Sequence, residues 1–179
     1  MIVIRVHRGY DRLHEFFVTF THSAFRLEVR RSYGMDEVER AHFLDFLHGG
    51  KPGWEWMKPW FDVIGPRLND GRIMRRVRVA DDPPSDYVKF EMYMTPVNVR
   101  HGEAIRYLER SAAGRLGLPT YDYWLFDARS VVVMVFDGDD QLTGVEVDEE
   151  PAVVQQHLRW GEAAWGCSWP VGEYAGGAG

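Results

Sequence analysis

Three arginines crowded into one short run, Arg75, Arg76 and Arg78, are the residues whose type and spacing first invite chemistry. A guanidinium is a planar fork of donors that meets a carboxylate or a phosphate with two bonds at once. The run Arg72–Val79 reads as a strand, and at a period of two Arg72, Met74, Arg76 and Arg78 share one face while Ile73, Arg75, Val77 and Val79 share the other. Arg75 therefore interrupts an apolar face, and a buried guanidinium needs an anion because leaving it unpaired is costly. Two readings stay open. Arg75 forms an internal ion pair, with Glu91 and Asp86 as its candidate partners, or it grips an anionic ligand together with Arg76 or Arg78.

The other polar candidates lie on either side of a second stretch of chain. Ser85 is a good N-cap, and Tyr87, Phe90, Glu91, Met94 and Val97 follow at helical spacing, which puts Glu91 on the inward stripe. Further on, Tyr121–Phe126 reads as a strand carrying Asp122 and Trp124 and ending at Asp127. Strand ends bearing Arg75, Arg78, Asp122, Trp124 and Asp127 are expected to converge with Tyr87 and Glu91 on one pocket.

Several elements must position these groups. Ser23–Arg30 alternates as a strand, with Phe25, Leu27 and Val29 on the apolar side and Arg26, Glu28 and Arg30 on the polar one. Asp36–His48 reads as a helix that Gly49 and Gly50 end. Trp54, Trp56, Trp60 and Phe61 crowd a segment whose helix must begin near Pro59 or be kinked by it, and they are assigned to the core rather than to a ligand cage. Pro96 limits or kinks the helix that starts after Ser85. Ala104–Leu108 is a short strand, Arg110–Gly117 a short helix, and Val131–Phe136 with Leu142–Val147 a hairpin. Pro151 opens a last helix through Trp165. The acidic hairpin loop Asp137–Asp140 lacks the spaced ligands of a calcium loop, so no metal is expected there, and no cofactor motif occurs.

The chain has 179 residues, 45% of them hydrophobic, enough for one core. A single domain over residues 1–172 is expected, followed by a disordered glycine-rich tail, 173–179. One cysteine, Cys167, excludes an internal disulfide and a cysteine metal cluster. No apolar run is long enough to span a membrane, and a cytoplasmic location is expected. The net charge of −6 combines a basic first 80 residues with an acidic remainder, a balance that argues against a direct nucleic-acid surface.

Several blocks in fixed order carry a resemblance: Ser23-Ala24-Phe25-Arg26-Leu27-Glu28, Arg75-Arg76-Val77-Arg78-Val79, Pro84-Ser85-Asp86-Tyr87-Val88-Lys89-Phe90-Glu91, Gly102–Leu108 and Tyr123-Trp124-Leu125-Phe126-Asp127. Together they resemble an actinobacterial domain of unknown function, number 6879, over roughly residues 14–174. That resemblance implies a setting beside helix-turn-helix regulators. The order of elements is more distantly similar to one half of the phospholipase D fold, including inactive versions fused to regulators. Active members carry a His-x-Lys-x-x-x-x-Asp run; with Asp127 as its aspartate, Thr120 and Asp122 replace the histidine nucleophile and the phosphate-holding lysine.

The expected fold is thus an α/β or α+β domain, a single mixed β-sheet flanked by helices, resembling a phospholipase D half-domain without its catalytic histidine and lysine. The expected function is non-catalytic recognition of a small anionic molecule or a helix-turn-helix regulator, using Arg75, Arg76, Arg78, Tyr87, Glu91, Asp122, Trp124 and Asp127. The alternative is an enzyme acting on an anionic metabolite, with Glu91 or Asp122 as general base and an arginine stabilising charge.

Overall fold

A computed structural model of the chain describes residues 2–174, with side chains from Arg12 onward. Three parallel strands form its centre: β2 (Ser23–Glu28), β3 (Ile73–Ala80) and β4 (Glu103–Glu109). Parallel neighbours require crossovers. Two helices, α2 (Glu37–Leu47) and α3 (Lys58–Asn69), lie between β2 and β3, and α4 (Asp86–Arg100) lies between β3 and β4. The chain then forms α5 (Arg110–Arg115) and an antiparallel meander, β5 (Tyr123–Phe126), β6 (Ser130–Phe136) and β7 (Leu142–Asp148), whose first strand pairs with β2. With β1 (Ile2–Arg5) on β7 and β8 (Trp169–Pro170) on β4, the order is β1-β7-β6-β5-β2-β3-β4-β8. Helices α1 (Val6–Thr19) and α6 (Pro151–Gly166) complete the chain. This is the single mixed sheet flanked by helices that the sequence predicts.

Pleating divides the sheet into two faces of different character. One buries Leu27, Val77, Val79, Tyr123, Leu125 and Val131 under α5 and α6. The approach there is close: a methyl group on Gly161 of α6 would sit 3.2 Å from the Phe25 ring. The other face packs Ala24, Met74, Trp124, Phe126 and Val132 against Leu13 and Phe17 of α1, Phe61 and Ile64 of α3, and Phe90 and Met94 of α4. This second face also carries Arg26, Glu28, Arg76, Arg78 and Glu103, which the register sets side by side.

Local chemistry explains the element ends. Asp36 accepts from Glu39 N at 2.8 Å and Ser85 from Val88 N at 3.2 Å, so both helices start on side-chain caps. Pro96 does not end α4, which continues to Arg100. Its last turn is held by buried Val97 and by Asn98 Nδ2, which donates to Glu103 Oε1 at 2.7 Å. Gly102, at φ +100°, makes the turn into β4.

Two expectations need correction. The reading of 173–179 as a tail fails for Tyr174, whose ring is buried 5.7 Å from that of Tyr107. An aromatic filling a gap beside β4 outweighs the glycines around it; residues 175–179 lie outside the described residues. Ser23–Arg30 is not half-exposed either: β2 lies mid-sheet between β3 and β5, so its polar side is covered too. No helix among the described residues is long and apolar enough to cross a membrane.

Candidate functional site

The charged face of the sheet is the floor of a cavity of about 500 Å³. At its centre is Glu28, 5% exposed, which receives three guanidinium groups. Arg78 Nε donates to Glu28 Oε2 at 2.5 Å, Arg76 Nη1 donates to Oε1 at 3.1 Å, and Arg26 Nε lies 3.0 Å from Oε1 without good alignment. The arginines then reach outward to further carboxylates. Arg76 Nη2 donates to Glu103 Oε2 at 2.7 Å, Arg26 Nη2 to Asp122 Oδ2 at 3.3 Å, and Arg78 pairs with Glu91 of α4. Burial alone would raise the Glu28 carboxyl, but Arg78, Arg26 and Arg76 together hold it down to about 2. Burial likewise acts to lower Arg78, yet Glu28 and Glu91 keep it well above its ordinary value.

The outer carboxylates are bound in turn by neutral donors. Asp122 accepts from Tyr33 Oη at 2.5 Å and from Val29 N at 2.8 Å, and its desolvation keeps its carboxyl above the usual range against the pull of Arg26. Glu103 accepts from Trp60 Nε1 at 2.8 Å and from Asn98. At the hairpin end, Asp140 takes Arg30 and Ser32, while Asp137 accepts from the backbone N–H of Asp139 and Gln141. Among the described residues no cluster of histidine, cysteine and carboxylate side chains could hold a metal ion.

The walls are aromatic. Tyr33, Trp56, Trp60, Tyr87, Trp124 and Phe136 line the cavity, so Trp56 and Trp60, assigned to the core by sequence, pack on it and face the open space as well. Arg26 and Arg76 lie over the Trp124 ring at 5.4 and 5.7 Å. Four fully buried donors around the cavity, Trp124 Nε1 and the Nε atoms of Arg26, Arg30 and Arg76, have no hydrogen-bond acceptor among the described residues. Near the rim, Glu39 of α2 lies close to Glu91 and Asp36, and burial together with those two carboxylates raises it to about 7 against the influence of Arg78.

Six of the eight sequence candidates meet at this site: Arg76, Arg78, Tyr87, Glu91 and Trp124 line the cavity, and Asp122 anchors Arg26 behind it. Arg75 does not join them. It points to the opposite face, half-buried, its guanidinium 4.9 Å above the ring of Trp165, so the expected pairing with Glu91 or Asp86 is replaced by a cation–π contact. Glu91 belongs to Arg78 instead, and Asp86 reaches Lys89.

Asp127 stands at the far end of β5. Its carboxylate accepts from the backbone N–H of Thr21, His22 and Ser23 at 2.7 to 3.1 Å, and this holds Asp127 and Ala128 in a turn with φ 53° at both. It is therefore a structural clasp remote from the cavity.

Sequence reasoning missed Arg26, Glu28, Tyr33, Glu39 and Glu103. The usable signal was complementary charge at equal phase, Arg26-x-Glu28 on one strand and Arg76-x-Arg78 on another, which only matching can bring together once the two strands are neighbours in register.

Comparison with known proteins places the geometry in context. No curated protein matches the sequence. Among the solved structures that share the fold, two illustrate the likeness at very low identity. The archaeal chromatin protein TrmBL2, whose structure shows a novel mode of DNA binding, aligns with a TM-score of 0.52 at 9% identity over 94% of this chain and 52% of its own. The chain thus spans about half the length of that protein. NucT from Helicobacter pylori aligns with a TM-score of 0.55 at 6% identity over 93% of this chain and 96% of its own. The first likeness corrects the exclusion of direct nucleic-acid contact drawn from net charge, because a chromatin protein that binds DNA contains this fold. Overall charge describes the whole surface and leaves a local DNA-contacting patch undecided. Residues 11–176 match the profile of DUF6879, a domain of unknown function, and with most of its length matched this chain belongs to that family.

Proposed function

We propose that this is a binding domain whose cavity recognises a small polar molecule without transforming it. The observation that carries the reading is the pairing of the floor: every arginine and carboxylate at its centre is engaged by another, while buried donors, Trp124 Nε1 and the Nε atoms of Arg26, Arg30 and Arg76, are left without acceptors among the described residues. A general base needs a carboxylate with a lone pair facing substrate, and of the two that the sequence offers for that role neither has one. Asp122 has both oxygens engaged, by Arg26 and Tyr33 at one and Val29 N at the other, and Glu91 is tied to Arg78. Orphaned buried donors, by contrast, favour a ligand that brings an acceptor. The volume, about 500 Å³ with aromatic walls, is that of a site for a drug-sized molecule.

The resemblance to a phospholipase D half-domain supports the same reading. In that resemblance Thr120 and Asp122 fall at the positions of the histidine and the lysine, and the Asp122 carboxylate is committed to the protein's own donors. The anionic ligand suggested by Arg75, Arg76 and Arg78 in the sequence loses its main support, since Arg75 faces away and the other two are already neutralised.

A thermal-shift screen of the full chain against amines, amino acids, nucleotides and sugar phosphates tests the proposal. At least one class is expected to raise the melting temperature of the wild type and to do so much less in Trp56→Ala, which removes a wall. A screen in which no compound shifts the transition contradicts it. A second reading, contact with DNA, is supported by the likeness to TrmBL2. Its test is a mobility shift with duplex DNA at two salt concentrations, where binding must weaken steeply as salt rises.

A further inference from the structure

We infer that the cavity takes a small organic cation carrying a hydrogen-bond acceptor, its charge held by Glu39 and Glu91 at the rim and its acceptor serving the buried donors of the floor. The inference rests on the binding-domain reading above and adds the chemical class of the ligand. Carboxylates outnumber guanidinium groups around this space: Arg26, Arg30, Arg76 and Arg78 are each paired, and Glu39 is left over. Among the described residues no cation lies within ion-pair distance of Glu39, and Asp36, the N-cap of α2, is committed to capping that helix. The groups facing Glu39 are Glu91 and Tyr87 of α4, Asp36 of its own helix and Arg78 of β3, whose charge is already shared between Glu28 and Glu91.

Aromatic walls strengthen the case. Trp56, Trp60 and Tyr87 line the same space as this surplus negative charge, and aromatic rings beside carboxylates are the combination that holds ammonium groups in water-poor sites. An anion entering the same space would meet carboxylates outnumbering the arginines. The buried Trp124 Nε1, fully enclosed and without an acceptor, adds the second requirement, an oxygen or nitrogen lone pair on the ligand. Cation binding draws the proton off Glu39, so affinity rises with pH through the region near 7 where that group is held.

Isothermal titration of the full chain with choline and acetylcholine, against the neutral choline isostere 3,3-dimethyl-1-butanol and against inorganic phosphate, provides the test. The expected result is binding of a cationic probe, weakened about tenfold or more in Glu39→Gln, whose fold is verified by an unchanged circular dichroism spectrum. Wild-type affinity should climb up to about tenfold between pH 6 and 8 and stay flat in Glu39→Gln. If the neutral isostere or phosphate binds and the cations do not, or if the thermal screen yields ligands none of which is cationic, the inference is overturned while the binding-domain reading stands. If neither the screen nor the four probes gives any binding, both fall.

Discussion

The two faces of one sheet, built from the same strands, have opposite interiors. Under α5 and α6 the core is apolar, with Leu27, Val77 and Leu125 closely packed. Under α1 to α4 the same strands present Arg26, Glu28, Arg76 and Arg78 as an ion-pair network beneath a cavity. Neighbouring residues in β3 show how sharp the division is. Arg76 is clamped between Glu28 and Glu103, whereas Arg75, one residue away, lies on Trp165 and has no ion pair among the described residues. The lesson is that an arginine's role here follows from the partners that the register of adjacent strands brings to its face, not from its being one of a cluster in sequence.

The largest expected effect comes from removing the shared partner. Glu28→Gln leaves three buried guanidinium groups short of charge and should destabilise the fold by about 3–5 kcal/mol in urea unfolding at pH 7. The same carboxyl gives a pH signature. Because its folded value is depressed to about 2 from an ordinary 4.5, its contribution is complete above about pH 4.5 and is lost as pH falls towards 2. Stability of the wild type should therefore drop through that window, and Glu28→Gln should show a shallower drop. An equally steep fall in both would separate the network from acid sensitivity.

Its neighbour in β2 provides the contrast. Leu27→Ala, a truncation of a fully buried side chain on the apolar face, should cost about 2–4 kcal/mol with no change in pH dependence over the same window. Ligand affinity, where the thermal screen supplies a ligand, should also be unaffected by it. A change in either quantity would show the faces to be coupled. The smallest effect is expected at Arg75→Ala, about 0.5–1 kcal/mol from the lost stacking on Trp165, again without effect on binding. A loss of binding there would return Arg75 to the site from which its orientation removes it.

Much of the framework was legible in the sequence because it depends on local signals. Ser85 as a cap, the period-two alternation of Arg72–Val79, and glycine and proline at element ends are each readable within a few residues. The site was less legible. Glu91 on the inward stripe of α4 was evident from helical spacing, but its partner Arg78 rather than Arg75 was not, since choosing between them requires knowing which face α4 covers. Arg26 and Glu28 read as a solvent-facing side because alternation alone cannot tell an edge strand from one flanked on both sides. Glu103 sat at a turn by sequence, and its role depends on Trp60 and Asn98 arriving from two different helices.

The most direct test of the account is the indole N–H spectrum of the full chain by nitrogen-edited NMR, titrated with a compound that raises the melting temperature. Trp124 Nε1–H, buried on the cavity floor without an acceptor, should shift as it gains one, while the resonance of Trp169, 56% exposed on the far edge strand, stays in place. A bound ligand that moves Trp169 and leaves Trp124 unchanged would contradict the assignment of this cavity as the binding site.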